Sequence, residues 1–133
     1  MAKHRPPKTP DLIIGPMPVT VVNKTLGTEL EVGDVILSRG AQRHANRRHP
    51  EDYPKCLPHL ASVIASPRYI GDDHTNSGIE IWGYVAALGA LVLVAIELIP
   101  DAQGRYHISS FYIVSERKAD ARRLKGFLKV ALL

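Results

Sequence analysis

Between Ser38 and Pro50 the chain reads SRGAQRHANRRHP, which gathers Arg39, Arg43, Arg47 and Arg48 with His44 and His49 in thirteen residues. No apolar core calls for that composition. The guanidinium groups make a local positive field suited to phosphate, and the two imidazoles are the side chains best able to move protons near neutral pH. The chemistry this set suits is acid–base work on a phosphate ester.

The spacing calls for a helix to hold these groups. Residues four apart stack along a helix, so His44 lies over Arg48, while Arg39, Arg43 and Arg47 make a second row. Ser38 is a good N-cap. Pro50 disfavours helical geometry at His49, which places that imidazole on a fraying last turn from which it can lean towards His44. Arginine neighbours suit His44 to the role of base, and the negative end of the helix suits His49 to that of acid.

The remaining chain must supply the frame. A length of 133 residues suits one domain with a core of its own. The formal charge of +4 favours an anionic partner, and its clustering says more than its sum. A single cysteine, Cys56, excludes an intrachain disulfide and a Cys-rich zinc site, and it fits a reducing, cytoplasmic compartment. The opening MAKHRPPKTP is basic and Pro-rich with no signal-like apolar stretch, so residues 1–17 read as a flexible arm and 18–133 as the domain. The longest uncharged apolar run, Tyr84 to Ile96, is too short to span a membrane.

In chain order the texture predicts short extended segments at Val19–Val22 and Asp34–Ser38, divided by Gly27 and Gly33, followed by the Arg/His helix. A second helix is predicted from Leu57 to Ala65. Ser66 to Gly78 collects Asp, Asn, Ser and Gly and reads as a loop. IEIWGYVA, GALVLVAIELI and GRYHISSFYIV read as three antiparallel strands, the middle one buried on both faces. Ser115 to Leu133 reads as an amphipathic closing helix with Ala121, Leu124, Leu128 and Leu132 turned inward.

The segments DVILSRGAQRHANRRHPEDY, LASVIASPRYIG and HISSFYIVSERKADARR together resemble phage-encoded members of the barnase/EndoU/colicin/RelE-like nuclease group, over about Val32 to Lys125. The resemblance implies an α+β fold, with N-terminal helices packed on a four-stranded antiparallel sheet and a C-terminal amphipathic helix closing it. It also implies a metal-independent ribonuclease with no cofactor. RNA, including tRNA or ribosome-associated RNA, would be the partner, and an inhibitor or immunity protein a second. Metal-free RNA cleavage needs a base for the 2′-hydroxyl, an acid for the leaving 5′-oxygen and a cation for the phosphorane. His44 and His49 fill the first two roles, and Arg48 or Arg43 the third. Arg39, Arg43 and Arg47 are expected on phosphate, with Ser110, Tyr112 and Lys118 from the late strand and last helix. Strict alternation would put Ser110 and Tyr112 on one strand face and His107, Ser109 and Phe111 on the other.

Other assignments compete. Arg-rich helix surfaces are commonly just solvated, and His4, His59 and His74 have no partners in sequence. A zinc site from His44, His49, His59 and Asp52 is opposed by the surrounding arginines and by the absence of HxxxH or HExxH spacing. Cys56 reads as a small buried residue. The alternative function is a catalytically inactive RNA-binding or phage accessory module that keeps the basic cleft.

Overall fold

Strand-forming residues dominate the second half of the chain, and they build the centre of the molecule. The computed structural model describes residues 10–73 and 77–133. His4, His74 and most of the expected arm lie outside them. Strands β4 (Gly78–Val85), β5 (Ala90–Glu97) and β6 (Tyr106–Val114) form the predicted antiparallel set. Leu91–Val94 of β5 is buried on both alternations, as expected of a strand covered on both faces.

The sheet is larger than the four strands expected. Strands β1 (Leu12–Pro16), β2 (Asp34–Leu37), β3 (Tyr69–Asp73) and β7 (Leu128–Val130) extend it to seven, in the order β1-β2-β6-β5-β4-β3-β7. Residues Leu12–Pro16, expected in the arm, pair antiparallel with β2. Tyr69–Asp73, expected in a loop, pairs with β4 on one side and β7 on the other. Its Gly and Asp residues are poor strand formers, and pairing on both edges overrides that preference.

The helices depart from expectation in the same way. Val19–Leu26 is helix α1, not an extended segment. It follows Pro18 and stops at Gly27, whose left-handed φ of 71° closes the last turn. Packing of Val22 and Thr25 against the sheet outweighs the β preference of Val19–Val22. Helix α2 (Arg39–Arg48) is the Arg/His helix. The predicted Leu57–Ala65 helix is a 3-10 turn (Leu57–His59) followed by α4 (Leu60–Ala65), and a short helix that was not foreseen, α3 (Asp52–Cys56), precedes it. Pro58 removes a backbone donor where one continuous helix would need it.

The last helix, α5 (Glu116–Leu124), starts at the Ser115 cap and ends well before the expected Leu133. Gly126, at φ 78°, turns the chain into β7. The predicted inward row is thereby broken, for Leu124 is 91% exposed and Leu132 48%, while Leu128 is buried as a strand residue. Ala119 is the residue α5 buries.

Two apolar layers result. Val92, Val94 and Ile96 of β5, with Ile79, Ile81, Ile108 and Phe111, pack under α4 and Ala45 of α2. On the opposite face Leu91 and Leu93 join Trp82, Val114 and Tyr69 beneath Ala119.

Two irregularities position the site. Strand β2 runs parallel to β6 but pairs only through Val35 with Tyr106 and Ile36 with His107. Beyond that point α2 and α3 border the rest of the β6 edge, and the Asp52 carboxylate accepts the Ile113 N–H at 3.1 Å. Farther along β6 the register shifts, with Ile96 opposite Ile108 and Ala95 opposite Ser110. Ser109 is the extra residue of a β-bulge.

Candidate active site

Helix α2 begins as its sequence requires. The Ser38 hydroxyl accepts the Ala41 N–H at 3.1 Å, and the Asp11 carboxylate accepts that of Arg39 at 2.8 Å. Two of the amides that a helix start leaves open are thus satisfied. At the far end the His49 N–H donates the last helical bond to Ala45, and His49 then leaves helical geometry at φ −135°, ψ 65°. Pro50 is the reason. The Tyr53 N–H donates to the His49 carbonyl at 2.8 Å, so the corner between α2 and α3 is closed on that residue.

Gln42 and Ala45 are the buried seam of α2. His44 and Arg48, stacked as expected, lie on one flank of the seam and are exposed. They form one wall of a cleft of about 860 Å³ together with His49. The His49 ring stacks on Tyr112 of β6, with centroids 4.5 Å apart and planes at 26°. Its departure from the helix lets it reach that partner, and brings both imidazoles to one cleft.

The floor of the cleft is the sheet. Gly78, Ile79 and Glu80 come from β4, Ala95, Ile96 and Glu97 from β5, and Ser109, Ser110 and Tyr112 from β6. The bulge explains why both serines line it. Strict alternation would turn Ser109 to the face of Phe111, yet Phe111 is fully buried and Ser109 is exposed towards the cleft, because the extra residue resets the alternation. The Ser109 hydroxyl donates to the Ala95 carbonyl at 3.3 Å.

The opposite wall is the first turn of α5. Lys118 lines the cleft there with its ammonium 5.7 Å from the centre of the Tyr112 ring. The positive end of the α5 dipole adds to its charge. One turn on, Arg122 pairs with Glu80 and lies over the Trp82 ring at 5.4 Å, while the Trp82 indole N–H donates to the same carboxylate at 3.2 Å. Glu80 is therefore held from two sides.

Six expected residues converge: His44, Arg48, His49, Ser110, Tyr112 and Lys118. Arg39 and Arg43 do not join them and border a separate groove, and Arg47 lines neither. Glu80 and Glu97 line the cleft without having been singled out in the sequence, and Ser109 lines it although alternation had placed it on the other strand face. The two glutamates carried a signal, since each is a charge inside an otherwise apolar strand, in IEIW and VAIEL. Among the described residues no group of three His, Cys, Asp or Glu side chains is arranged to hold a metal ion. Cys56 lies in the core, where burial, and next the Asp52 carboxylate, push its thiol up to about 11. Among the described residues no helix is long and apolar enough to cross a membrane.

Residues 13–121 match the model of a protein family described as phage-Barnase-EndoU-ColicinE5/D-RelE like nuclease3. No curated protein and no solved structure matches the chain.

Proposed function

The chain belongs to the phage-Barnase-EndoU-ColicinE5/D-RelE like nuclease3 family, and from that premise we propose that it is a ribonuclease that cleaves RNA without a metal ion. The observation that supports the reading is the meeting of His44, Arg48 and His49 with Tyr112, Ser110 and Lys118 around one open cleft. Two imidazoles and two cations from opposite walls are the set that transesterification at phosphorus needs.

In this mechanism His44 takes the proton of the 2′-hydroxyl as that oxygen attacks the adjacent phosphorus. The bond from phosphorus to the 5′-oxygen breaks, and His49 delivers the proton that the leaving oxygen takes up. The products are a 2′,3′-cyclic phosphate and a 5′-hydroxyl. Arg48 and Lys118 stabilise the extra negative charge of the phosphorane, a role best filled by groups already in position. Tyr112 keeps the His49 ring in one orientation by stacking, and Lys118 over the Tyr112 ring ties the phosphate wall to the acid. Ser109 and Ser110 offer hydroxyls to the sugar or phosphate.

The test is cleavage of a single-stranded RNA in the presence of EDTA, with the products read for cyclic phosphate ends. His44→Ala and His49→Ala should each lower the rate by about a hundredfold to ten-thousandfold, the usual worth of one acid–base group, with affinity for RNA nearly unchanged. Activity abolished by chelation, or a folded His44→Ala protein of full activity, would refute the mechanism. Salt-dependent RNA binding with no turnover by the unaltered protein would instead identify an inactive binding module.

A further inference from the structure

Helix α2 carries its cations on both flanks of the buried seam, and only one flank belongs to the cleft. At roughly 100° per residue, Arg43 and Arg48 lie about 140° apart around the helix axis, with Arg47 on the crest between them. The second flank borders a groove of about 200 Å³ lined by Arg39, Gln42, Arg43, Asn46 and Tyr53. Its base is fixed. Gln42 is 7% exposed, and its amide donates to the carbonyls of Pro10 at 2.9 Å and Leu37 at 3.3 Å. The Tyr53 ring leans on Phe111 with centroids 5.6 Å apart.

Four arginines elsewhere on the fold are engaged within the protein. Arg68, Arg105 and Arg122 each hold a carboxylate, and Arg123 covers the Tyr69 ring. Among the described residues neither Arg39 nor Arg43 makes an ion pair, and both are exposed. A guanidinium left without a carboxylate beside a preformed polar groove retains its donors for an external anion.

Resting on the ribonuclease reading, we propose that this groove is a second phosphate subsite, which takes the strand flanking the scissile phosphate. The preferred substrate is then a single-stranded RNA long enough to cross the crest of α2, where it meets Arg48, Arg47, Arg43 and Arg39 in turn. The arc from Arg48 to Arg43 around a helix about 11 Å across is about 13 Å. A dinucleotide has one phosphate, which the cleft occupies, so the groove contributes only to longer strands.

The test measures binding with uncleavable 2′-O-methyl strands, a dinucleotide and an oligonucleotide, for the unaltered protein and for Arg39→Gln/Arg43→Gln. For the oligonucleotide the double variant should bind roughly tenfold more weakly, and its log-log salt slope should fall by about 1.4, two contacts at about 0.7 each. Arg39→Lys/Arg43→Lys keeps the charge and should keep the slope. An unchanged slope in the Gln variant, or an equal loss for dinucleotide and oligonucleotide, overturns the subsite. Because these strands cannot be cleaved, failure of the groove is distinguishable from failure of the ribonuclease reading, which shows as no cleavage of unmodified RNA.

Discussion

Replacement of Asp52 tests whether the corner between α2 and α3 holds the site in place. Its carboxylate accepts the Ile113 N–H at 3.1 Å, on the stretch of β6 that β2 does not cover. Asp52→Ala leaves that half-buried N–H without its acceptor, which costs about 1 to 3 kcal/mol. For 133 residues at about 2.1 cal/mol/K each, the unfolding entropy is about 0.28 kcal/mol/K, so the midpoint should drop by about 4 to 11 °C. Asp52→Asn keeps an acceptor oxygen in the same place and should lose less than about 1 kcal/mol. Catalysis should follow the same order. His49 closes the corner through its carbonyl bond to Tyr53, and its ring needs that corner to stay on Tyr112. A shift of about 1 Å in such a group is worth up to a hundredfold in rate. Thermal melts followed by circular dichroism, with RNA cleavage measured well below the midpoint, give both numbers. An Ala variant that melts within a degree or two of the unaltered protein, or an Asn variant as unstable as Ala, would show that the bond does not anchor the corner.

Two further perturbations probe the frame. Asp101 accepts from His107 at 2.8 Å, from Arg105 through backbone and side chain, and from the Gln103 N–H. Chiefly the His107 bond, then the others, hold its carboxyl well below the usual carboxylate range. A lowered folded-state pKa contributes stability that is complete above the unfolded value of about 3.9 and is shed as pH falls further. Acid titration of Asp101→Asn should therefore show a flatter loss of stability below about pH 4 than the unaltered protein, and parallel acid limbs would count against the assignment. Gly33→Ala adds a methyl group that collides with the carbonyl oxygen of Gly104, backbone that cannot swing aside. A loss of about 1 to 3 kcal/mol in urea denaturation is expected, and a neutral result would mean that the turn after β5 moves freely.

How much of this was legible in the chain depends on the range of the forces involved. The start of α2 at Ser38, its end at Pro50, and the stacking of His44 over Arg48 depend on neighbours within a few residues, and local chemistry settles them. The same holds for β4, β5 and β6, whose apolar runs are long enough to outvote their turns. Membership of a nuclease family was likewise readable from the His/Arg helix and the Ser-containing strand.

What only the tertiary structure decided is contact between distant segments. Leu12–Pro16 and Tyr69–Asp73 are strands because neighbouring edges accept their backbone groups, and Val19–Leu26 is a helix because the sheet needs its apolar side. The Ser109 bulge depends on a register shift against β5, so alternation within one strand could not place both serines in the cleft. The two unforeseen glutamates are brought to the cleft by strand order, not by any motif. The four arginines of α2 look like one patch in sequence. They separate into cleft, crest and groove because Gln42 and Ala45 are the side the fold buries, and burial direction is a property of the whole molecule.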